Sequence, residues 1–351
     1  MSNRGGESVS ALFPVQGEAW SRREAPPVTE VADRIWAAPI PVPGQGIRFV
    51  YSYLIADGSG GMTVVDPGWN STEARAALGA AVARTGHRID DVDTLLVTHA
   101  HPDHLGMAGD LARETGAQVF LHDADCLLLP EVRGDLDYVS LDRWLREHGQ
   151  PLDPDPGTAM DGVVFADMER PSHRLHDGQE FRVGDRRLRV LHTPGHTPGH
   201  ACFVVEDEHL VLTGDHLLPR ISPNVSGFPR SGPDPLGRFL DSLGLIARLD
   251  PAVALPSHEY AFADLGERVA QVERHHTARL AEICDRLADT PGMNADELSQ
   301  RLTWSRPWSE IRPAMRRAAL AETLAHLLRL VELGQVRAWT RREVRVWSLA
   351  R

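Results

Sequence analysis

The chain contains no lysine: all 37 basic residues among its 351 are arginine. Schiff-base lysine chemistry, a Walker-A phosphate loop and the protein-kinase lysine are therefore excluded together. Cysteine is nearly as scarce. Cys126, Cys202 and Cys284 stand far apart with no CxxC pair, which speaks for a reducing compartment and small buried thiols rather than a disulfide framework. No apolar run reaches 18 residues, and Met1–Pro14 lacks an apolar stretch of signal-peptide length. No membrane span and a cytoplasmic location are the expectation. Positive charge is in deficit: 37 arginines face 49 acidic residues, a net charge of −12, which opposes wrapping a polyanion over the whole surface. What the chain does hold is apolar material for a full core, with 42% hydrophobic and 25% charged residues, so disordered and fibrous classes drop out. Its length allows two domains, or one large domain with an appendage. Seventeen histidines and 30 glycines are the abundances that need an explanation.

Residues 1–30 are polar and proline-bearing and read as an irregular arm. From Arg34 onward short apolar strands alternate with helices. Strands are predicted at Ile35–Ala38, Phe49–Ala56, Met62–Asp66, Thr94–Thr98 and Gln118–Leu121. Helices are predicted at Thr72–Thr85, capped by Ser71, and at Leu105–Thr115, ended by Gly116. Residues 123–175 break the rhythm with candidate helices at Ala124–Leu129 and Tyr138–His148 among Pro-, Asp- and Gly-rich turns, as an inserted lid would. Strands return at Glu180–Val183, Leu188–His192, Ala201–Glu206 and Leu210–Thr213, followed by a helix at Leu236–Leu249 and a strand at Val253–Leu255. Two mixed runs of strands suit an α/β (α+β) fold, two mixed sheets with helices outside, over residues 31–265. Residues 266–351 differ: helices at Gly266–Asp289, Ala295–Leu302 and Ala314–Leu333, then an alternating hairpin at Gln335–Trp347, make a winged-helix-like appendage. Residues 296–351 carry 11 arginines against 6 acidic residues, a net +5, which leaves −17 on the rest.

The densest chemical signal is Thr98-His99-Ala100-His101-Pro102-Asp103-His104, three histidines and an aspartate in six residues. Residues two apart at a strand end project to one face, so His99 and His101 can share an ion. The chain then turns into a helix, and Asp103 and His104 on that turn can point back at a second ion. Later apolar runs end in more ligand-type residues: His192-Thr193-Pro194-Gly195-His196-Thr197-Pro198-Gly199-His200, Thr213-Gly214-Asp215-His216 and Pro256-Ser257-His258-Glu259. These side chains are expected to gather along one edge of the sheets. Neutral imidazole with carboxylate oxygen suits Zn²⁺, and Fe or Mn less well.

Over about residues 34–262 the sequence resembles the metallo-β-lactamase-fold superfamily, whose four-layer αβ/βα sandwich packs two mixed sheets between helices. Carried over residue by residue, the resemblance implies that His99, His101 and His196 bind one metal, that Asp103, His104 and His258 bind a second, and that Asp215 bridges them. Asp66, in Val64-Val65-Asp66-Pro67-Gly68, matches the family's first motif and would orient the metal site without touching the ions. True zinc β-lactamases resemble this arrangement but carry Cys or Ser where Asp215 stands. An Asp there resembles glyoxalase II, the lactonases and the nuclease branch. The diiron flavoprotein branch usually has Glu in place of His101, and single-iron sulfur dioxygenases are compatible with these ligands. The appended domain resembles that of a subgroup of lactamase-like hydrolases, some of which act on RNA.

The chemistry expected of two ions about 3.5–4 Å apart is a shared hydroxide offered to an electrophile. Two Zn²⁺ offset by the Asp103 and Asp215 carboxylates and one hydroxide leave a single positive charge to stabilise an oxyanion at carbon or phosphorus. Asp103 is the nearest group to receive or pass the attacking proton. Tyr138, Leu141, Trp144, Leu145, Met160, Phe165 and Met168 make the insert apolar enough to wall a pocket, with the Pro39–Gly46 loop on another side. The expectation is thus a binuclear metal hydrolase acting on a small ester-like carbonyl substrate, a thioester or lactone with an apolar acyl part. A phosphodiesterase or endoribonuclease using the same ions is the alternative, disfavoured by the acidic, lysine-free catalytic portion. A winged-helix DNA-binding regulator with a retired enzyme domain is opposed by the complete ligand set. His192, His200 and His216 read as readily as packed histidines as ligands, and Tyr260 as a core or rim tyrosine rather than an oxyanion donor. The Ala314–Leu333 helix is too apolar to lie in a DNA groove and is expected to pack on the catalytic domain or on another subunit, making a homo-oligomer possible. Arg316, Arg317, Arg341, Arg342 and Arg345 read first as solvated, with phosphate contact the rarer use.

Overall fold

A computed structural model describes residues 8–44, 47–129, 138–150 and 171–350. The chain opens with helix α1 (Pro14–Arg22), where an irregular arm is expected. Local periodicity is weak there, and tertiary contacts supply what it lacks. Gln16 and Ala19 are buried, the Leu12 amide donates to the Ala261 carbonyl, and the Ala261 amide donates to Gln16 Oε1. A seven-stranded sheet follows in the order β1 (Thr29–Ala32), β2 (Ile35–Pro41), β3 (Phe49–Ala56), β4 (Met62–Val65), β5 (Val92–Leu96), β6 (Gln118–His122) and β7 (His173–Leu175). Pairing is antiparallel from β1 to β4 and parallel from β4 to β7. Helix α2 (Thr72–Arg84) connects β4 to β5, and its Ala74 amide donates to Ser71 Oγ.

The single helix predicted over Leu105–Thr115 is two: α3 (Pro102–Leu105) and α4 (Ala108–Thr115). The break has a cause. The Met107 amide donates to the Gly68 carbonyl at 3.0 Å, and at Gly106 a Cβ would lie 2.2 Å from the Pro102 oxygen and 2.9 Å from the Asn70 nitrogen. Glycine lets this turn press against the loop that carries Asp66. Helix α5 (Asp123–Cys126) is one turn, and α6 (Tyr138–Glu147) follows the prediction within a residue.

The second sheet has five strands, β8 (Glu180–Val183), β9 (Arg186–His192), β10 (Ala201–Val205), β11 (Leu210–Gly214) and β12 (Val253–Pro256), with only β11–β12 parallel. Helix α7 (Pro235–Leu249) crosses from β11 to β12. Tyr51, Tyr53, Ile55 and Leu96 of the first sheet meet Val190, Phe203, Leu212 and Leu255 of the second in one apolar interlayer. The outer face of the first sheet is covered by Leu78, Val82 and Leu111 from α2 and α4. That of the second is covered by Phe239, Leu243 and Ile246 from α7. This is the expected sandwich of two mixed sheets between helices.

Beyond it come α8 (Leu265–Asp289), β13 (Met293–Asn294), α9 (Ala295–Ser299), α10 (Pro313–Glu332), β14 (Val336–Arg341) and β15 (Val344–Leu349), with the strands ordered β13-β15-β14. Leu320, Leu324, Leu327 and Leu330 of α10 are buried, and Ala325 joins the core under α7. The apolar helix therefore packs on the catalytic portion of its own chain. Arg329 of α10 pairs with Asp234 at the start of α7 at 2.8 Å.

The lid expectation is corrected in part. Trp144 and Leu145 join the C-terminal core, with Ile283, Leu287, Met293 and Trp347, and the Trp144 ring lies 5.0 Å from that of Phe228. The apolar face of α6 is used to bind the two portions of the chain together. Met160, Phe165, Met168, Gln45 and Gly46 lie outside the described residues, as do the side chains of Tyr138 and Leu141. Trp144→Ala is thus expected to lower stability by about 3–5 kcal/mol, read by denaturant unfolding. A loss below about 1 kcal/mol would contradict this placement. Among the described residues no helix is long and apolar enough to cross a membrane.

Candidate metal centre

The ligand-type side chains sit where strands end, and both sheets contribute. From the end of β5 the chain runs through Thr98 and His99 to His101 and into α3, which carries Asp103 and His104. His196 lies between β9 and β10, Asp215 directly follows β11, and His258 follows β12 by two residues. The fold brings all seven together in two groups, His99, His101, His196 and Asp215, and Asp103, His104 and His258, with donor atoms in each within 4.8 Å of one another.

In the first group His99 Nε2 lies 2.8 Å from His101 Nδ1, and His196 Nε2 lies 3.3 and 3.0 Å from those two atoms. In the second, Asp103 Oδ2 stands 3.4 Å from His258 Nε2 and 3.6 Å from His104 Nε2. Asp215 divides itself between them. Its Oδ2 is 3.6 Å from His196 Nε2, while Oδ1 is 3.2 Å from His258 Nε2 and 3.6 Å from His104 Nε2. Donors each about 2.1 Å from a tetrahedral zinc sit about 3.4 Å apart, so these separations match the spacing a cation needs.

Three of the five imidazoles are aimed from behind by a carbonyl or carboxylate oxygen. His196 Nδ1 donates to the Asn224 carbonyl at 2.8 Å, and His258 Nδ1 to the Phe49 carbonyl at 3.1 Å. His104 Nδ1 donates to Asp66 Oδ2 at 2.8 Å. Asp66 also accepts from the Thr98 amide and hydroxyl, both at 2.8 Å, and from Ser257 Oγ at 3.1 Å. It is buried, at φ 55°, a left-handed conformation that Asp tolerates better than most residues. Asp66 therefore orients a ligand and joins the β4, β5 and β12 ends. Gly195 serves the same end by close approach: a Cβ there would meet the Phe239 backbone of α7 at 2.4 Å.

The electrostatics ask for positive charge. Burial opposes ionisation of Asp103 and Asp215, yet the His104 and His258 imidazoles hold both carboxyls below the usual range. Burial likewise opposes charge on His104 and His258. The carboxylates overcome it, drawing His104 up to about 9 and His258 well above the ordinary imidazole value. In the first group burial, with the neighbouring imidazoles, holds His99 well below its usual value and His101 down to about 3, leaving neutral nitrogen donors. His104 Nε2, His258 Nε2 and Asp215 Oδ1 are buried and make no well-directed hydrogen bond, facing one another only as imidazole–carboxylate pairs. Buried polar atoms left this way are costly unless something else satisfies them. Neutral imidazoles, two carboxylates and three orphaned donor atoms converging on one volume fit divalent cations, and zinc's preference for nitrogen and oxygen ligands suits the set.

The residues held back resolve differently. His200 is buried, with Nδ1 2.8 Å from Thr193 Oγ1 and Nε2 accepting from the Asp215 amide at 3.2 Å, so it supports a ligand. His192 stacks on His122 with ring centroids 4.0 Å apart. His216 is buried beside Phe239. Tyr260 Oη donates to the Val9 carbonyl at 3.0 Å and ties down the N-terminal segment, away from any oxyanion role. Asp125 is a residue that sequence reasoning missed. It is buried, accepts from the Ala100 amide, Thr197 Oγ1 and the Gly199 amide at 2.8, 2.8 and 2.6 Å, and so links the His99–His101 turn to the His196 turn. Burial pushes its carboxyl up to about 6. An acidic residue just past β6 carries no signal of this use in the sequence.

Comparison with known proteins gives the same reading. The model of the "Metallo-beta-lactamase superfamily" matches residues 46–258. An atrochrysone carboxyl ACP thioesterase of Paecilomyces divaricatus is 29% identical over 223 residues, 60% of this chain and 67% of that protein. A lactamase-like protein of Emericella nidulans is 30% identical over 152 residues, 42% of this chain and 47% of its own length. Among solved structures, a metallo-beta-lactamase family protein from Thermus thermophilus superposes with a TM-score of 0.78 at 32% identity, covering 91% of this chain and all of that one. A beta-lactamase domain protein from Burkholderia ambifaria gives 0.76 at 27% identity, over 92% and 95%.

Proposed function

Since the chain belongs to the metallo-beta-lactamase superfamily, we propose that it is a binuclear metal-dependent hydrolase cleaving an ester-like carbonyl, a thioester or lactone with an apolar acyl part. The observation that carries this reading is the division of Asp215, one oxygen toward each donor group. Bound there, two cations, zinc by donor type, would supply an activated water at neutral pH and positive charge for a developing oxyanion. His99, His101 and His196 would hold one cation, Asp103, His104 and His258 the other. Asp103 keeps 14% of its side chain exposed, against 10% for Asp215, 3% for His258 and none for His104, which supports the role of proton acceptor for it. Relatives named as carboxyl ACP thioesterases support a thioester among the carbonyl candidates. The order helix, strand, two helices, two strands beyond residue 265 supports a winged-helix reading of the C-terminal module. The burial of α10 against the catalytic portion supports a structural use of it over DNA reading.

Metal analysis of the purified chain followed by assay of thioesters, lactones, β-lactams and a bis-aryl phosphate tests the proposal, with Asp103→Asn as control. Uptake of two cations and cleavage of a thioester or lactone, lost in the variant, are the expected results. Cleavage of the phosphodiester alone would overturn it.

A further inference from the structure

Beyond Asp215, the 218–227 segment of the β11–α7 connection meets the metal centre at one atom and is held from behind at several. Its contact with the centre is the Asn224 carbonyl, which accepts from His196 Nδ1. Most of its restraints come from the C-terminal module, beside the Val9 amide on the Pro219 carbonyl and the Arg220 amide on Glu259 Oε2. Arg268 of α8, 3% exposed, donates from Nε to the Leu218 carbonyl at 2.6 Å and from Nη2 to the Ile221 carbonyl at 2.9 Å. His276, two turns further along α8, lies with Nε2 3.2 Å from Ser222 Oγ. Its Nδ1 is 3.1 Å from Nε2 of His326 on α10, whose Nδ1 is 2.8 Å from the Glu322 carbonyl. The Gly227 amide donates to the Ala321 carbonyl of α10 at 2.8 Å.

The direction of this relay is fixed by its last member. A carbonyl only accepts, so His326 Nδ1 carries the proton and His326 Nε2 accepts. His276 Nδ1 must then donate, leaving Nε2 to accept from the Ser222 hydroxyl. Both rings are neutral in this arrangement. That agrees with their burial, which holds His326 down to about 3 and His276 well below the ordinary imidazole value. Two buried histidines locked in defined tautomers are a stiff support, because each has one proton and one lone pair and both are engaged.

We infer that the C-terminal module positions the first cation site: Arg268, His276 and His326 fix the 218–227 segment, and through the Asn224 carbonyl that segment fixes the tautomer and aim of His196. The inference rests on the reading that His99, His101 and His196 take a cation. His276 and His326 touch neither cation nor substrate; they are positioning residues acting through Ser222 and Asn224. Groups that hold a metal-binding histidine from behind typically change metal affinity ten- to a hundredfold when removed.

The test uses the full chain, with Zn²⁺ affinity measured by chelator competition and the visible spectrum recorded with Co²⁺. His276→Phe keeps a ring but removes both hydrogen bonds, and is expected to weaken one of the Zn²⁺ sites about tenfold and to alter the Co²⁺ bands. Ser222→Ala is expected to move both readouts the same way by a smaller factor, and it carries the test alone if His276→Phe does not fold. His276→Gln, which returns an acceptor toward Ser222, is expected to recover most of the affinity. Val336→Ala, buried in the same module away from the segment, is expected to lower the melting temperature and leave affinity unchanged. Zn²⁺ affinity within twofold of the parent in the folded His276 and Ser222 variants overturns the inference, as does an equal loss in Val336→Ala. A parent chain that takes up neither Zn²⁺ nor Co²⁺ overturns the proposed function as well.

Discussion

Asp215→Asn is expected to cut hydrolytic turnover by roughly a thousandfold or more, a loss of about 4 kcal/mol of transition-state stabilisation, and to lower the cation content below two per chain. The geometry sets the size of the effect. One oxygen of Asp215 faces His196 in the first donor group, and the other faces His258 and His104 in the second. Asparagine keeps the volume and one carbonyl oxygen. Its NH2 group has no lone pair to offer a cation, and one of the two carboxylate charges at the centre is gone. The variant therefore tests bridging rather than packing. Steady-state turnover measured beside metal content on the same sample checks it. Unchanged turnover with two cations retained would show that the centre does not depend on a shared carboxylate.

Asp66→Asn should weaken the second cation site by ten- to a hundredfold and lower stability by about 2–4 kcal/mol. Asp66 receives four donors: the Thr98 amide, the Thr98 and Ser257 hydroxyls and the His104 ring. Three of these meet at Oδ2. Asparagine suits the left-handed backbone here, so the substitution adds little strain. With two acceptor positions reduced to one, an amide N–H faces the donors at Oδ2, or the Thr98 amide loses its partner at Oδ1. Either way His104 loses its fixed aim. Chelator competition and denaturant unfolding of the metal-free chain read the two effects separately. An affinity equal to the parent's would mean that His104 is held by packing alone.

The ligand-type residues that the fold gathers were legible in the sequence because they obey local rules. His99 and His101 share a strand-end periodicity, and His196, Asp215 and His258 each follow an apolar run that ends a strand. Strand β3 and strand β8 match their predicted bounds because Phe49–Ala56 and Glu180–Val183 are bounded by turn residues. Elements stabilised from outside their own sequence were not legible. Helix α1 depends on Gln16 and Leu12 reaching Ala261, and the three-residue strand β7 exists by pairing with β6. The apolar face of Trp144 and Leu145 announced burial but not its partner, the C-terminal core. Asp125 shows the same limit at the site. Its three donors come from Ala100, Thr197 and Gly199, and only the folded chain makes them neighbours.

Four ligand positions descend from the seven-stranded sheet and three from the five-stranded one. A cation seated among them would be a cross-brace between two layers otherwise joined chiefly by an apolar seam. Cations bound only by the native state add cohesion by mass action, about 2.7 kcal/mol for one site at a hundredfold excess over Kd. The bonds that prepare the chemistry would then also clasp the halves of the molecule, and stripping the metal would loosen the whole body along with silencing it.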